Sequence, residues 1–153
     1  MAILWRFCAG NIIWTNLHIL FKLTGRWHLS GGGACDAADL ALAKRRSSCF
    51  VAADGGADTL LAHDITAEAV IGDLDSITVQ ARSQMPPDRL HLVAEQNSTD
   101  FEKCLRHISA PLILGLGFTG GRIDHQMAVF HGLLRYCHQR CMLLGSEVVV
   151  LLA

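Results

Sequence analysis

Residues 50–76 read FVAADGGADTLLAHDITAEAVIGDLDS, and the fold follows from how this stretch is punctuated. Phe50–Ala53 is a short apolar run that stops at Asp54-Gly55-Gly56, and Ala69–Ile71 is another that stops at Gly72-Asp73-Leu74-Asp75-Ser76. Short apolar runs bounded by glycine and acidic turns are typical of strands buried on both faces. The intervening chain is long enough for a crossover helix, expected near Thr59–His63, so the two strands run parallel. Both acidic turns then open at the carboxyl edge of one sheet, where open α/β sheets bind ligands. Carboxylates on glycine-rich turns suit a hard cation that carries waters and phosphate oxygens.

The same alternation continues on either side. Trp27–Ser30 reads as a strand entering Gly31-Gly32-Gly33, a turn at which backbone can approach a phosphate closely. Asp36 is the expected N-cap of a helix Ala37–Arg46, with Asp39 in its first turn and Lys44, Arg45 and Arg46 in its last, matching the helix dipole at both ends. Pro86-Pro87 rules out regular structure over Gln84–Asp88, and a strand is expected at Leu90–Val93. Thr99 and Glu102 have capping-box spacing, so a helix begins at Asp100, with Phe101, Cys104, Leu105 and Ile108 along one face. A strand at Pro111–Leu114, a glycine-rich loop at Gly115–Arg122 and a helix at Ile123–His138 follow. The inner face of that helix is expected to carry Ile123, Met127, Phe130 and Leu134. Cys141–Leu144 and Val148–Leu152 read as two last strands. The fold class is α/β, a doubly wound and mostly parallel open sheet with helices on both faces.

Composition narrows the function. The chain has 153 residues, 51% of them hydrophobic and 18% charged, which describes one globular domain. With 13 basic against 14 acidic residues, no charge excess points to nucleic acid. Six cysteines lie scattered without a CxxC pair and read as thiols in a reducing, cytoplasmic setting. Met1–Thr24 is apolar but interrupted by Arg6, Asn11, Asn16, His18 and Lys22, so it reads neither as a membrane span nor as a signal peptide. It is taken as an extension of unassigned role, with helix one form open to it, before an α/β domain over residues 25–146.

Two motifs compete for the chemistry. Gly115–Gly120 is a literal GxGxxG, but a dinucleotide fold needs an acid about 20 positions on to hold the ribose. That region holds Arg135, Gln139 and Arg140, and the first acid is Glu147. A Rossmann-type oxidoreductase is therefore the weakest reading. The stronger pattern is Asp54, Asp73, Asp75 and Asp100, each at or just beyond a strand exit. Asp54 or Asp100 alone would read as a turn former or helix cap. Asp73 and Asp75 stand one residue apart with no neighbouring base, and such carboxylates repel unless a cation or a proton lies between them. Together the four favour a Mg²⁺ site.

AADGGAD (52–58), GDLDS (72–76), NSTDFEKCL (97–105) and GGRIDHQ (120–126) together resemble the motif series of the thiamin pyrophosphokinase family, in its order and spacing. The resemblance runs over about residues 31–144. It implies Mg²⁺-dependent transfer of a diphosphate from ATP to the hydroxyethyl group of thiamin, releasing AMP, in a homodimer. It also implies that Asp54, Asp73, Asp75 and Asp100 hold Mg²⁺ and ATP. Gln96, Thr99, Arg122 and Asp124 would line the nucleotide and thiamin sites, together with Gly32, Gly55, Gly56, Ser98, Gly120, Gly121 and His125. Asp73, Asp75, Asp100 and Arg122 form the implied catalytic set, with metal ligation ranked ahead of a base role for Asp73 or Asp75. His125 is open to either a catalytic or a loop-ordering role. Asn97 stands where the family often has an acid. The family's second domain, a β-sandwich, is expected to be absent here, with residues 147–153 either its start or an edge strand at Val148–Leu152. A Mg·ATP-binding module without catalysis is the alternative reading.

Overall fold

The computed structural model describes residues 6–7, 10–11, 21–22, 26–46, 49–145 and 149–152. Its centre is a seven-stranded sheet formed by β1 (Arg26–Ser30), β2 (Phe50–Ala53), β3 (Ala69–Gly72), β4 (Leu90–Leu92), β5 (Leu112–Leu116), β6 (Cys141–Leu144) and β7 (Val149–Leu152). The spatial order is β7-β6-β5-β1-β2-β3-β4. Every neighbouring pair is parallel except β6 and β7. The chain lays down β1 to β4 in one direction, then returns to place β5 on the other side of β1. A doubly wound sheet has its topological switch point at such a reversal, and ligands bind there.

Right-handed crossovers put the connecting helices of each direction on a separate face. One face packs Leu40, Ala43, Phe50, Ala52, Leu60 and Val70, drawn from α1 (Ala37–Arg46), α2 (Gly56–Leu61) and the strands between. The other packs Val51, Ala53, Ile71, Phe101, Cys104, Leu105, Val129 and Leu133, with α4 (Asp100–His107) and α5 (Ile123–Arg135) on top. Successive residues of β2 thus divide between two cores, which is why both of its faces are apolar. Full burial of a residue such as Phe50 or Ile71 contributes about 1.5–3 kcal/mol, so the run could not be shifted by one residue without loss on both faces.

Several expectations change in detail. The crossover helix begins at Gly56 rather than Thr59, because Gly56 packs directly on the end of β1: a Cβ there would lie 2.0 Å from the Ser30 carbonyl oxygen. A short helix not expected from sequence, α3 (Val79–Gln84), follows the second acidic turn and is capped by the Thr78 hydroxyl accepting from the Ala81 amide at 3.1 Å. Gly115 belongs to β5, where a Cβ would meet Leu143 at 2.6 Å, so it is a packing residue and not part of a phosphate loop. The α5 face is a clear correction: Ile123, Met127 and Leu134 are exposed, while Val129, Gly132 and Leu133 are buried. Gly132 decides this, since α4 approaches so closely that a Cβ there would meet Glu102 Cγ at 2.9 Å and the Phe101 ring at 3.2 Å.

Within residues 1–25, the described positions form short strands. Arg6–Phe7 pairs antiparallel with Gly10–Asn11, and Phe21–Lys22 pairs parallel with Ile108–Ser109. The remainder of the expected extension lies outside the described residues. No disulfide joins the cysteines among the described residues, and none of their helices is long and apolar enough to cross a membrane.

Candidate active site

Asp54 ends β2 in a left-handed conformation, φ 41°, which a short polar side chain tolerates better than a branched one. Its buried carboxylate accepts from the Ser76 amide at 3.2 Å and the Ile77 amide at 3.1 Å, tying the first acidic turn to the second. That second turn inverts at Leu74, φ 61°, whose side chain is buried. Asp54, Asp73 and Asp75 each offer an oxygen within 4.8 Å of the others. Gly72 makes room for them: a Cβ there would lie 2.8 Å from Asp54 Cβ and 3.1 Å from Asp100 Oδ1.

Sequence reading missed Lys103. Its ammonium lies 2.9 Å from Asp100 Oδ1 and 3.3 Å from Asp73 Oδ2, and its side chain is only 2% exposed. A lysine in the first turn of α4 opposes the helix dipole, and it follows Asp100 at i,i+3 ion-pair spacing; these two signals could have marked it. Gln96 Nε2 also donates to Asp73 Oδ2, at 2.8 Å. Asp73 Oδ1, by contrast, is shielded from water and has no hydrogen-bond partner.

The electrostatics set Asp54 and Asp73 apart. Burial, reinforced by the Asp100 and Asp73 carboxylates, pushes Asp54 up to about 6 against the pull of the Ser76 and Ile77 amides. Burial also works against ionised Asp73, but Gln96, Lys103 and Asp54 together bring it down to about 2. Burial disfavours the Lys103 charge as well, yet Asp100 and Asp73 outweigh it and raise the lysine above its ordinary value.

Beside the acids, a cavity of about 690 Å³ opens at the switch point between the loops that follow β1 and β5. These loops are stitched together by the Gly31 amide donating to Leu116 O at 2.8 Å and the Gly33 amide donating to Gly117 O at 3.1 Å. Gly32, Gly55, Thr99, Asp100, Gly120, Gly121, Arg122 and His125 line the cavity, and Phe118 and Val129 supply apolar wall. Thr99 also caps α4, its hydroxyl accepting from the Glu102 amide at 3.2 Å while Glu102 Oε2 accepts from the Thr99 amide at 3.1 Å. Arg122 holds Asp124 through Nε at 3.1 Å and Nη2 at 2.5 Å, and this fork brings Asp124 down to about 2.

Not every expected residue reaches this space. Gly56 is spent on packing, Gln96 turns to Asp73, and Asp124 pairs with Arg122 on the surface. Ser98 bonds to Glu95, whose carboxylate also takes the Arg106 guanidinium at 2.8 Å. Asp100 stands apart from the three-acid cluster and faces Lys103, but it also lines the cavity and so joins the two regions. Asp58, another cavity residue to which no role was assigned from sequence, accepts from the Thr78 amide at 3.0 Å.

The family model described as "Thiamin pyrophosphokinase, catalytic domain" matches residues 40–144, which include Asp54, the GDLDS turn, α4 and the Arg122 loop. The chain belongs to this family. A curated relative, thiamine pyrophosphokinase 1 of Oryza sativa subsp. japonica, is 31% identical over 97 residues, covering 56% of this chain and 37% of that protein. Among solved structures, the thiamin pyrophosphokinase of Geobacillus thermodenitrificans superposes with a TM-score of 0.65 at 29% identity, covering 78% of this chain and 59% of that one. The Bacillus subtilis enzyme gives 0.66 at 25% identity, covering 80% and 61%. That of Candida albicans gives 0.66 at 15% identity, covering 95% and 68%, a likeness of fold alone. The chain thus spans less than two thirds of the length of the first three relatives.

Proposed function

We propose that this chain carries the nucleotide-binding and catalytic half of a thiamin pyrophosphokinase, transferring a diphosphate from ATP to thiamin with Mg²⁺. The observation that carries the reading is the cluster of Asp54, Asp73 and Asp75 beside the cavity at the switch point. The donor set fits Mg²⁺: three carboxylate oxygens lie close together, and Asp73 Oδ1 is buried without a partner. A bound Mg²⁺ would neutralise charge on the phosphate oxygens and orient them.

In the reaction, the thiamin hydroxyl oxygen attacks the β-phosphorus of ATP. A new O–P bond forms, the bond from the β-phosphorus to the α–β bridging oxygen breaks, and AMP leaves. The hydroxyl proton passes to solvent water as the new bond forms. This chain's own residues hold and neutralise. Asp54, Asp73 and Asp75 would hold the cation, Asp100 joins that cluster to the nucleotide cavity, and the backbone of the Gly32, Gly55 and Gly120–Gly121 turns admits phosphates without side-chain obstruction. Arg122, largely exposed at the cavity mouth, can exchange Asp124 for a phosphate by the same two-pronged geometry. The apolar wall of Phe118 and Val129 suits a flat ring. Homodimer formation and a cytoplasmic location belong to the same proposal.

Calorimetric titration with ATP, with and without Mg²⁺, tests the binding half, and thiamin-dependent release of AMP tests the chemical half. Mg²⁺-dependent binding without AMP release would leave a nucleotide-binding module in place of an enzyme.

A further inference from the structure

The acidic edge already contains a cation. Lys103 is almost fully enclosed and bridges Asp73 Oδ2 and Asp100 Oδ1. A buried ammonium is tolerated only where good partners repay its desolvation, and the N-terminal turn of a helix is the less favourable end for it. Its position is therefore explained by the two carboxylates and not by the helix that carries it.

Asp73 divides its oxygens between two duties. Oδ2 receives Gln96 and Lys103, while Oδ1 is enclosed and unpartnered on a residue that clusters with Asp54 and Asp75. Asp100 Oδ1 likewise takes Lys103. Four ionised aspartates would place four negative charges at this edge. One divalent ion and Lys103 together compensate three of them, so a second divalent ion would have to compete with a fixed ammonium held within hydrogen-bond distance of both of its carboxylates.

Resting on the metal reading given above, we propose that Lys103 is a positioning residue that fills the second cation position of this edge. The nucleotide-free chain then takes a single divalent ion, on Asp54, Asp73 and Asp75, and Asp100 is kept clear of metal for the nucleotide side of the cavity. The same contact fixes the Asp73 carboxylate beside Asp54 and Asp75.

Mn²⁺ is the probe, because free and bound ion are counted separately by electron paramagnetic resonance. The full chain without nucleotide should bind one Mn²⁺, as should Lys103→Arg, which keeps the charge. Lys103→Met should bind two, the second between Asp73 and Asp100, with its fold verified by circular dichroism. Two ions on the wild type, or one ion with unchanged affinity on folded Lys103→Met, would overturn the role of Lys103 while leaving the metal reading intact. No Mn²⁺ on the wild type would overturn the metal reading itself, and this inference with it. Should Lys103→Met fail to fold, Lys103→Gln takes its place with the same expected count of two, and two ions on Lys103→Arg would also contradict the proposal.

Discussion

The Ser76 amide donates to Asp54 Oδ2 at 3.2 Å although the two residues stand at the exits of different strands. With the Ile77 amide on Oδ1 at 3.1 Å, it makes one carboxylate the joint between both acidic turns. Asp54 therefore has a structural duty as well as its place in the acidic cluster proposed to hold metal, and the two can be separated by substitution. Asp54→Ala strands two backbone amides, at about 1–3 kcal/mol for each that finds no water. Asp54→Asn keeps one amide acceptor and shape but loses the charge. Urea unfolding should show a lower midpoint for Asp54→Ala than for Asp54→Asn, while both lose Mg²⁺ affinity. Equal midpoints for wild type and Asp54→Ala would refute the joint.

Asp75 is exposed and supports no buried group. Asp75→Asn should change unfolding stability by no more than about 0.5 kcal/mol, yet weaken Mg²⁺ binding at least about tenfold through loss of a charged ligand. Calorimetric Mg²⁺ titration beside a thermal melt checks both. Unchanged affinity would remove Asp75 from the site.

Metal binding should depend on pH through Asp54. Its carboxyl is raised to about 6, so below that pH it holds a proton that a cation must displace. Apparent Mg²⁺ affinity should be level above pH about 7 and fall up to tenfold per unit below pH 6. Proton release on binding, measured in buffers of different ionisation enthalpy, should rise as pH drops. Absence of proton release at pH 5.5 would contradict the assignment.

His28 gives a separate acid sensitivity. It is buried on β1, stacks on Phe50 at a centroid distance of 4.8 Å, and neither ring nitrogen has a hydrogen-bond partner. Burial first, then Arg26, lowers it from 6.5 to about 4. A depressed folded value means that its share of stability is fully present above pH 6.5 and is lost as pH falls through 4. The loss is on the order of 2 kcal/mol after allowance for solvent screening. His28→Leu, close in volume, should flatten the stability profile between pH 6.5 and 4. A slope identical to wild type would show that other groups cause it.

The sheet was legible where local chemistry agreed with tertiary placement. The apolar runs at Phe50–Ala53 and Ala69–Ile71, each closed by a glycine and acidic turn, read as strands buried on both sides and are so, and the Thr99–Glu102 box set the start of α4 from sequence alone. The buried face of α5 was not legible, because two apolar stripes compete on that helix. The choice rests on Gly132, which has no side chain for a hydrophobic pattern to register. Lys103 escaped for a related reason: Asp100 is within its own helix at i,i+3 spacing, but Asp73, which makes the site around it, meets it only after β3 and α4 pack together. The helix α3 buries one residue, Ala81, and so leaves almost no periodic trace.

Phosphorus-31 magnetic resonance of ATP incubated with the chain, Mg²⁺ and thiamin tests the central claim most directly, because it distinguishes which phosphorus is attacked. Attack at the β-phosphorus predicts that AMP and thiamin diphosphate resonances grow together and that none appears without thiamin. Growth of ADP, with phosphate released or passed on to thiamin, would place the attack at the γ-phosphorus and contradict the account.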